Sequence, residues 1–440
     1  MGLGVWAALI GLLLPLFHGS SHAQQKNREL IIRAGHLFDG KHEPSANIDV
    51  EIRDGKIAAV RPATGIADID LGSRMLAPGL IDTHVHLDWY ITAQSRLRRK
   101  DDGEDERTAI INAAGNAWRM LQAGFTTVQS VGSPNDKYVR DAINRGVIPG
   151  PRVLTSMGQI FPVEDKRTGL WAYLSWLPGS GSRANSAQAI RAAVRKLHSN
   201  GADVIKIFAE ANRTRGGALT MTEAQLKDAC DEAKSLGLRS IVHANRAEDM
   251  KRAVRAGCSQ VDHGVLADDE ALAMMASAGV YFEPQCSLVF QNYLMNWKWF
   301  EGLGSWNEKQ RNAMQRLVEN RRNRGTRWFA FDSLKLVYGS DSVAGAHGQN
   351  AADLVCRTRD LGQSAVDALR SATSIAAESL GLADSIGRIA PSYEADLMAF
   401  DGDPRADPDI FLRAAFVMKA GVIYRQPPDR AGPDRTFPKR

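Results

Sequence analysis

The sequence predicts an α/β fold, a (β/α)8 barrel of roughly 300 residues set into a small sheet domain built from both chain ends. Three observations predict it. Strand signals punctuated by turns fill the stretch from Leu30 to Leu71 and return after about residue 385. Between them, eight strand-like runs alternate with helical patterns. The residues with metal-binding chemistry fall at the carboxyl ends of those runs, the end at which such a barrel carries its function. A doubly wound sheet would share the alternation, but no GxGxxG or GxxxxGK[ST] motif follows an early strand.

In chain order, the first segment is "MGLGVWAALIGLLLPLFHGSSHAQQ", without Lys, Arg, Asp or Glu. Val5 to Phe17 is apolar but short for a membrane span, and Ser21-His22-Ala23 has the small-x-small form of a cleavage site. We read residues 1–23 as a signal peptide cut after about Ala23, despite the missing positive start, and expect a secreted or periplasmic protein. A buried N-terminal helix or anchor is the other reading. No later segment reads as a membrane span.

Residues 28–78 form the N-terminal part of the sheet domain, with Asp54-Gly55 between "VEIR" and "KIAAV" as a two-residue hairpin signal. Residues 79–384 form the barrel. Its strands are "GLIDTHVH", "FTTVQSV", "RVLTSMG", "DVIKIFA", "RSIVHAN", "QVDHGV", "VYFEPQC" and "KLVYGSD". "TEAQLKDACDEAKSLG", "NRAEDMKRAVRAG" and "DDEALAMMASAG" have helical spacing, and each stops at a glycine. Residues 385–427 return to strands, which can pair with the first ones.

Composition bounds the function. The 440 residues are 44% hydrophobic and 24% charged, with a net charge of +5, which suits a globular chain and excludes a disordered one. The densest basic patch, "RLRRKDDGEDER" (Arg96–Arg107), carries both signs and reads as a solvated face, so no nucleic-acid site is expected. Cys230, Cys258, Cys286 and Cys356 are far apart, with no CxxC spacing. Buried free thiols are expected; an oxidising compartment would permit disulfides, but this is no disulfide framework.

The chemistry gathers at strand ends. Alternate residues of a strand share a face, so His84 and His86 project side by side. His243 and His263 end the fifth and sixth strands, and Asp341 follows the eighth. Lys206 interrupts the apolar "DVIKIF", where lysine is rarely buried without a partner. An uncharged amine there can capture CO2 as a carbamate, an anionic bidentate ligand able to bridge two metals. One such histidine is ordinary; the six residues together point to a metal site.

"PGLIDTHVHL", "GFTTVQSVG", "GADVIKIF", "VHANRAEDMKRAVRAGCSQVDHG" and "YGSDS" resemble, in order, the metal-dependent amidohydrolase superfamily, closest to its imidazolonepropionase-like and Xaa-Pro dipeptidase-like branch. The resemblance runs from about residue 28 to 425. It implies a TIM-like barrel with a small β-sandwich from both chain ends. It implies that His84 and His86 bind the more buried of two divalent metal ions, that Lys206, carboxylated, bridges both, and that His243 and His263 bind the second. Asp341 would ligate the first metal and handle protons. Zn2+ is the default for these N and O ligands, with Mn2+ or Co2+ able to replace it. The implied activity is hydrolysis of an amide or peptide C–N bond by a metal-activated hydroxide.

Loops after the strands should choose the small-molecule substrate. Trp171, Trp176, Tyr293, Trp297, Trp299 and Trp306 can form an apolar wall, and Trp89 and Tyr90 can begin it. Arg213 and Arg215 can bind a carboxylate, and Asn245, Gln285 and His347 are further candidates. "GQIFPVEDK" stands where dipeptidase-like members carry a glycine- and histidine-rich segment, and "AEANRTRGG" has no tyrosine for a carboxylate. The expected substrate is dipeptide-like, an N-acyl amino acid or a bulky aromatic amide. A metal-dependent lactonase, esterase or phosphotriesterase on the same scaffold is the alternative, and a non-catalytic metal-stabilised binding protein is the reading from another class. A homo-oligomer fits but is not legible.

Overall fold

The computed structural model describes residues 29–99, 102–161, 181–183, 186–210, 221–301, 306–329, 331 and 333–427. The expected signal peptide therefore lies outside the described residues, as do Trp171, Trp176, Arg213 and Arg215.

Five strands come first: β1 (Leu30–Leu37), β2 (Ser45–Arg53), β3 (Lys56–Pro62), β4 (Ile69–Asp70) and β5 (Met75–Pro78). Asp54 and Gly55 make the β2–β3 turn, with φ of 53° and 77°. Both are left-handed, as a turn that follows the strand twist requires. After β5 the chain passes through Gly79 into a parallel region: β6 (Leu80–Val85), β7 (Phe125–Ser130), β8 (Arg152–Thr155), β9 (Gln159–Phe161), β10 (Gly181–Arg183), β11 (Val204–Phe208), β12 (Arg239–Arg246), β13 (Gln260–Leu266), β14 (Tyr281–Glu283) and β15 (Lys335–Leu336). The chain closes with β16 (Leu397–Phe400), β17 (Ala414–Lys419) and β18 (Val422–Arg425).

Both chain ends share one eight-stranded sheet, in the order β18-β17-β16-β5-β1-β2-β3 with β4 beside β1. Strand β16 pairs antiparallel with β5, so the last strands sit directly on the entry to the parallel region. The parallel strands form two arcs, β6-β7-β8 and β10-β9-β11-β12-β13-β14-β15, rather than one continuous ladder. Single bonds cross between them. The Asp203 amide donates to Thr155 O at 2.8 Å on one side, and those of Thr83 and His86 donate to Tyr338 O and Ser342 O at 3.0 and 2.9 Å on the other. Strand β15 is only two residues long, so residues 337–342 run beside β6 without entering a ladder.

Helices follow the strands. Glu223–Ser235 begins with a capping box between Thr222 and Gln225, and Asp269–Ala278 ends at Gly279 in the left-handed conformation. Ala247–Arg255 matches the second helical pattern. Among the described residues no helix is long and apolar enough to cross a membrane.

Two expectations are corrected. The cysteines are paired, Cys230 with Cys258 and Cys286 with Cys356, across Cα separations of 5.2 and 5.9 Å. Separations of 28 and 70 residues gave no pattern, because the fold rather than the spacing brings the pairs together. The Arg96–Arg107 patch is not a uniformly solvated face: Arg98 is buried and bonds Glu106 Oε1 at 3.0 Å, and Arg96 pairs with Asp102.

Replacing Cys230 and Cys258 by serine removes the cross-link between a helix and the start of β13. Urea unfolding of the double variant should show a loss of about 2–4 kcal/mol relative to the oxidised parent; an unchanged midpoint contradicts a native disulfide there.

Candidate metal centre

His84 of strand β6 and His86 just beyond its end are both buried, with ring centroids 5.5 Å apart. Lys206 of β11 is wholly buried, and its Nζ donates to Asp262 Oδ2 at 2.5 Å. The expected buried lysine thus has a carboxylate partner. His243 of β12 lies edge-on to His263 of β13, at 4.3 Å between centroids, and stacks on Phe208 at 4.5 Å. Asp341 Oδ1 stands 3.2 Å from His86 Nε2 and 3.5 Å from His84 Nε2. All six line one cavity of about 100 Å³. Trp89, Gln159, Phe208, Tyr293 and Val343 complete its wall.

Two overlapping groups bring ligand atoms within 4.8 Å of one another and can hold a metal ion: His84, His86 and Asp341, and His84, Asp262 and His263. Charge favours a cation here. Burial, then the neighbouring Lys206, holds the His84 imidazole below its ordinary range, and burial with His263 does the same to His243. Burial, then His84, pushes His263 down to about 4. Each shift is toward the neutral imidazole that a metal ligand must be. Burial alone would raise Asp262 and Asp341. Lys206 and then His84 overcome it at Asp262, and His84 with His86 overcomes it at Asp341, so both are ionised. Glu283, fully buried beside Asp262, goes the other way and is raised well above the carboxylate range. Ionised Asp262 and Asp341 beside these imidazoles are groups that a divalent ion can bind. The residues present therefore fit a metal centre.

The backbone is strained at two of these residues. Asp341 has φ of 50° and His263 of 73°, left-handed values that non-glycine residues adopt at a cost. The Asp341 amide donates to His84 O at 2.9 Å, which helps to fix that turn against β6. Asp82 strengthens the same seam. Its carboxylate accepts from the amides of His84 and Ser340 at 3.2 and 3.0 Å, from Ser340 Oγ at 2.6 Å and from Asn350 Nδ2 at 2.7 Å. Burial, opposed by these bonds, leaves Asp82 raised to about 6.

The weaker candidates divide. Trp89 reaches the wall, its ring 5.1 Å from that of His86, and Tyr293 joins it from the helix Leu288–Met295. Tyr90 does not: its hydroxyl bonds Glu104. Gln285 is fully buried, and its carboxamide is engaged by His263 Nδ1 at 2.6 Å and Glu283 Oε2 at 2.6 Å. The Asn245 side chain lies 3.1 Å from His243 Nε2. His347 donates from Nε2 to His86 O at 3.0 Å. Tyr90, Asn245, Gln285 and His347 are thus not in the described cavity wall; the last three support candidate ligands. Trp306 Nε1 donates to Trp297 O at 3.3 Å, and neither residue is in the described cavity wall. Sequence reasoning missed Asp82, Asp262 and Glu283. Each stands one or two residues from a candidate, a spacing that is ordinary in sequence.

The profile of the amidohydrolase family matches residues 75–424. The chain belongs to the amidohydrolase family. It is a hydrolase of amide C–N bonds. A relative from Aspergillus niger, an ochratoxinase, is 27% identical over 90% of this chain and 87% of its own length. The crystal structure of a Xaa-Pro dipeptidase with bound methionine in its active site superposes with a TM-score of 0.78. It is 25% identical, covering 90% of this chain and all of that one. The crystal structure of Aspergillus niger ochratoxinase superposes with a TM-score of 0.74 at 23% identity, over 91% of this chain and 96% of that one, a likeness of fold.

Burial holds His347 down to about 3, from an ordinary value of 6.5, although its bond to His86 O works the other way. The unfolded chain therefore takes up a proton that the folded state refuses, so this contribution to stability is present above about pH 6.5 and is lost as pH falls toward about 3. Denaturant titrations of metal-free protein at stepped pH should show a shallower loss on acidification for His347→Gln, by up to about 1 kcal/mol per pH unit; an unchanged slope contradicts a neutral buried His347.

Proposed function

We propose that this chain is an exported, binuclear metal-dependent amidohydrolase acting on a dipeptide-like, N-acyl amino acid or bulky aromatic amide. The observation that carries the reading is the convergence of four imidazoles, Lys206 and Asp341 on one aromatic-walled cavity. His84, His86 and Asp341 would hold one ion and His243 and His263 the other. Lys206 would bridge them after its amine adds CO2 and loses a proton, and the remaining N–H can still donate to Asp262. Bound metals, Zn2+ by ligand type with Mn2+ or Co2+ as substitutes, would supply a Lewis acid for the amide carbonyl and an acidified water at neutral pH.

The protein's own groups do the rest. Asp341, ionised at neutral pH, can take a proton from the attacking water and deliver it to the leaving nitrogen. Trp89, Phe208 and Tyr293 make the wall apolar, which favours a bulky acyl or side-chain group over a small polar one. The relatives' names, ochratoxinase and Xaa-Pro dipeptidase, point the same way, toward amide and peptide substrates. On this reading the two parallel arcs are one closed barrel over residues 79–384, and residues 28–78 and 385–427 form a β-sandwich. The apolar start with its Ser21-His22-Ala23 site, together with two disulfides, supports export to an oxidising compartment.

The test is a panel of N-acyl aromatic amino acids, X-Pro dipeptides, aromatic amides, aryl esters, lactones and a phosphotriester, assayed before and after chelation. Amide turnover should vanish with the chelator and return with Zn2+. Asp341→Asn should cost at least about 100-fold in kcat, and Trp89→Ala should raise KM most for aromatic amides. Turnover confined to esters, lactones or phosphotriesters would favour the alternative chemistry, and chelator-resistant amide turnover would overturn the metal reading.

A further inference from the structure

Strand β14 ends at Glu283 in the run "FEPQC", and two side chains of that run, Glu283 and Gln285, face the back of the candidate ligands. Glu283 and Gln285 are both fully buried, and neither lies in the described cavity wall. Their bonds form one chain. His263 Nδ1 donates to Gln285 Oε1 at 2.6 Å, and Gln285 Nε2 donates to Glu283 Oε2 at 2.6 Å. The same Glu283 Oε2 accepts from His84 Nδ1 at 3.1 Å, beside Asp262 Oδ2 at 3.2 Å from that nitrogen. A single carboxylate oxygen thus connects one histidine of each proposed metal position.

We infer that Glu283 and Gln285 are shared positioning residues, which hold His84 and His263 in the Nδ1–H tautomer and so couple the two metal positions. The inference rests on the reading of the cavity as a metal centre. The chemistry is simple. A neutral imidazole that donates from Nδ1 keeps its lone pair on Nε2, and an acceptor behind the ring fixes both tautomer and orientation. Here the two acceptors are themselves bonded, so a shift of one ring is passed to the other through Glu283.

The surroundings show that this segment is built to stay still. Gly339 lies against Glu283: a Cβ there would fall 2.5 Å from Glu283 Cδ, so only glycine admits the carboxylate. Buried Arg357 donates to Pro284 O. The buried carboxylate of Asp353 accepts the amides of Cys286, Ser287 and Leu288 at 2.8, 2.6 and 2.6 Å. The Cys286–Cys356 bond then ties the same turn to the helix Ala352–Leu361. Four supports thus fall on residues 283–288.

The test compares the parent with Gln285→Leu, Glu283→Leu and the conservative Glu283→Gln, which keeps an acceptor oxygen of the same reach. Zinc content is followed against a graded chelator, and 15N-histidine spectra are recorded on metal-free protein. In the parent, His84 and His263 should both show the Nδ1–H tautomer. Gln285→Leu and Glu283→Leu should each lose about 10–100-fold in zinc affinity at both positions, with a mixed tautomer at His84 and His263. Glu283→Gln should stay within a few-fold of the parent. Leucine variants with parental zinc affinity and tautomers overturn the inference alone, as does a loss confined to one position. A parent that binds no zinc overturns both this inference and the metal reading beneath it. The metal-free melting temperature separates a merely structural role, since a variant that lowers it while leaving tautomers and zinc affinity unchanged also counts against the inference.

Discussion

Buried charge at the strand ends is the constraint on which the rest of the centre depends. Lys206 and Asp262 are both wholly buried and pair at 2.5 Å. Neither could be there alone, because an unpaired ion in so dry a place costs several kcal/mol. Strands β11 and β13 must therefore hold a register that joins them, with β12 between. That register also sets His243 of β12 edge-on to His263 of β13. Asp262 then reaches His84 Nδ1 at 3.2 Å, which ties the arc that carries Lys206 to β6 in the other arc. Glu283 adds a second tie from β14 to the same ring. The site thus adds side-chain ties to the backbone bonds that join the two arcs.

A second set of bonds closes the cluster from behind. Asp82, at the inner face of β6, gathers four donors from His84, Ser340 and Asn350 and so docks residues 337–342 without a ladder. His347 holds the His86 carbonyl, and Gln285 and Glu283 hold the backs of His263 and His84. Trp89 and Phe208 of the cavity wall also belong to a hydrophobic cluster with Phe161, Val289 and Phe300. The polar cluster and the apolar wall meet at Phe208, which stacks on His243.

Much of this was legible in the chain. The parallel strands read out because each is a short apolar run ended by turn residues, and the six candidate residues stood out because they break those runs. Lys206 was the clearest, since an apolar strand leaves a lysine no solvent. Asp262 and Glu283 were not singled out because a carboxylate next to a histidine, or two residues before a glutamine, is ordinary in sequence. Only the parallel register shows that both touch His84. The disulfides were hidden for the same reason: Cys230 and Cys258 meet through the packing of a helix on the start of β13. Tyr90 was expected in the cavity wall, but its neighbour Trp89 takes that direction and Tyr90 turns to Glu104. Gln285 was expected as a substrate group, but it is buried and its carboxamide is taken up by His263 and Glu283.

The most direct test is anomalous diffraction at the zinc edge from metal-loaded crystals. A two-metal centre predicts two peaks, one among His84, His86 and Asp341 and one beside His243 and His263. Extra density on Lys206 Nζ should join them. A single peak or none, with the Lys206 amine still 2.5 Å from Asp262 Oδ2 and nothing added to it, would contradict the bridged binuclear centre.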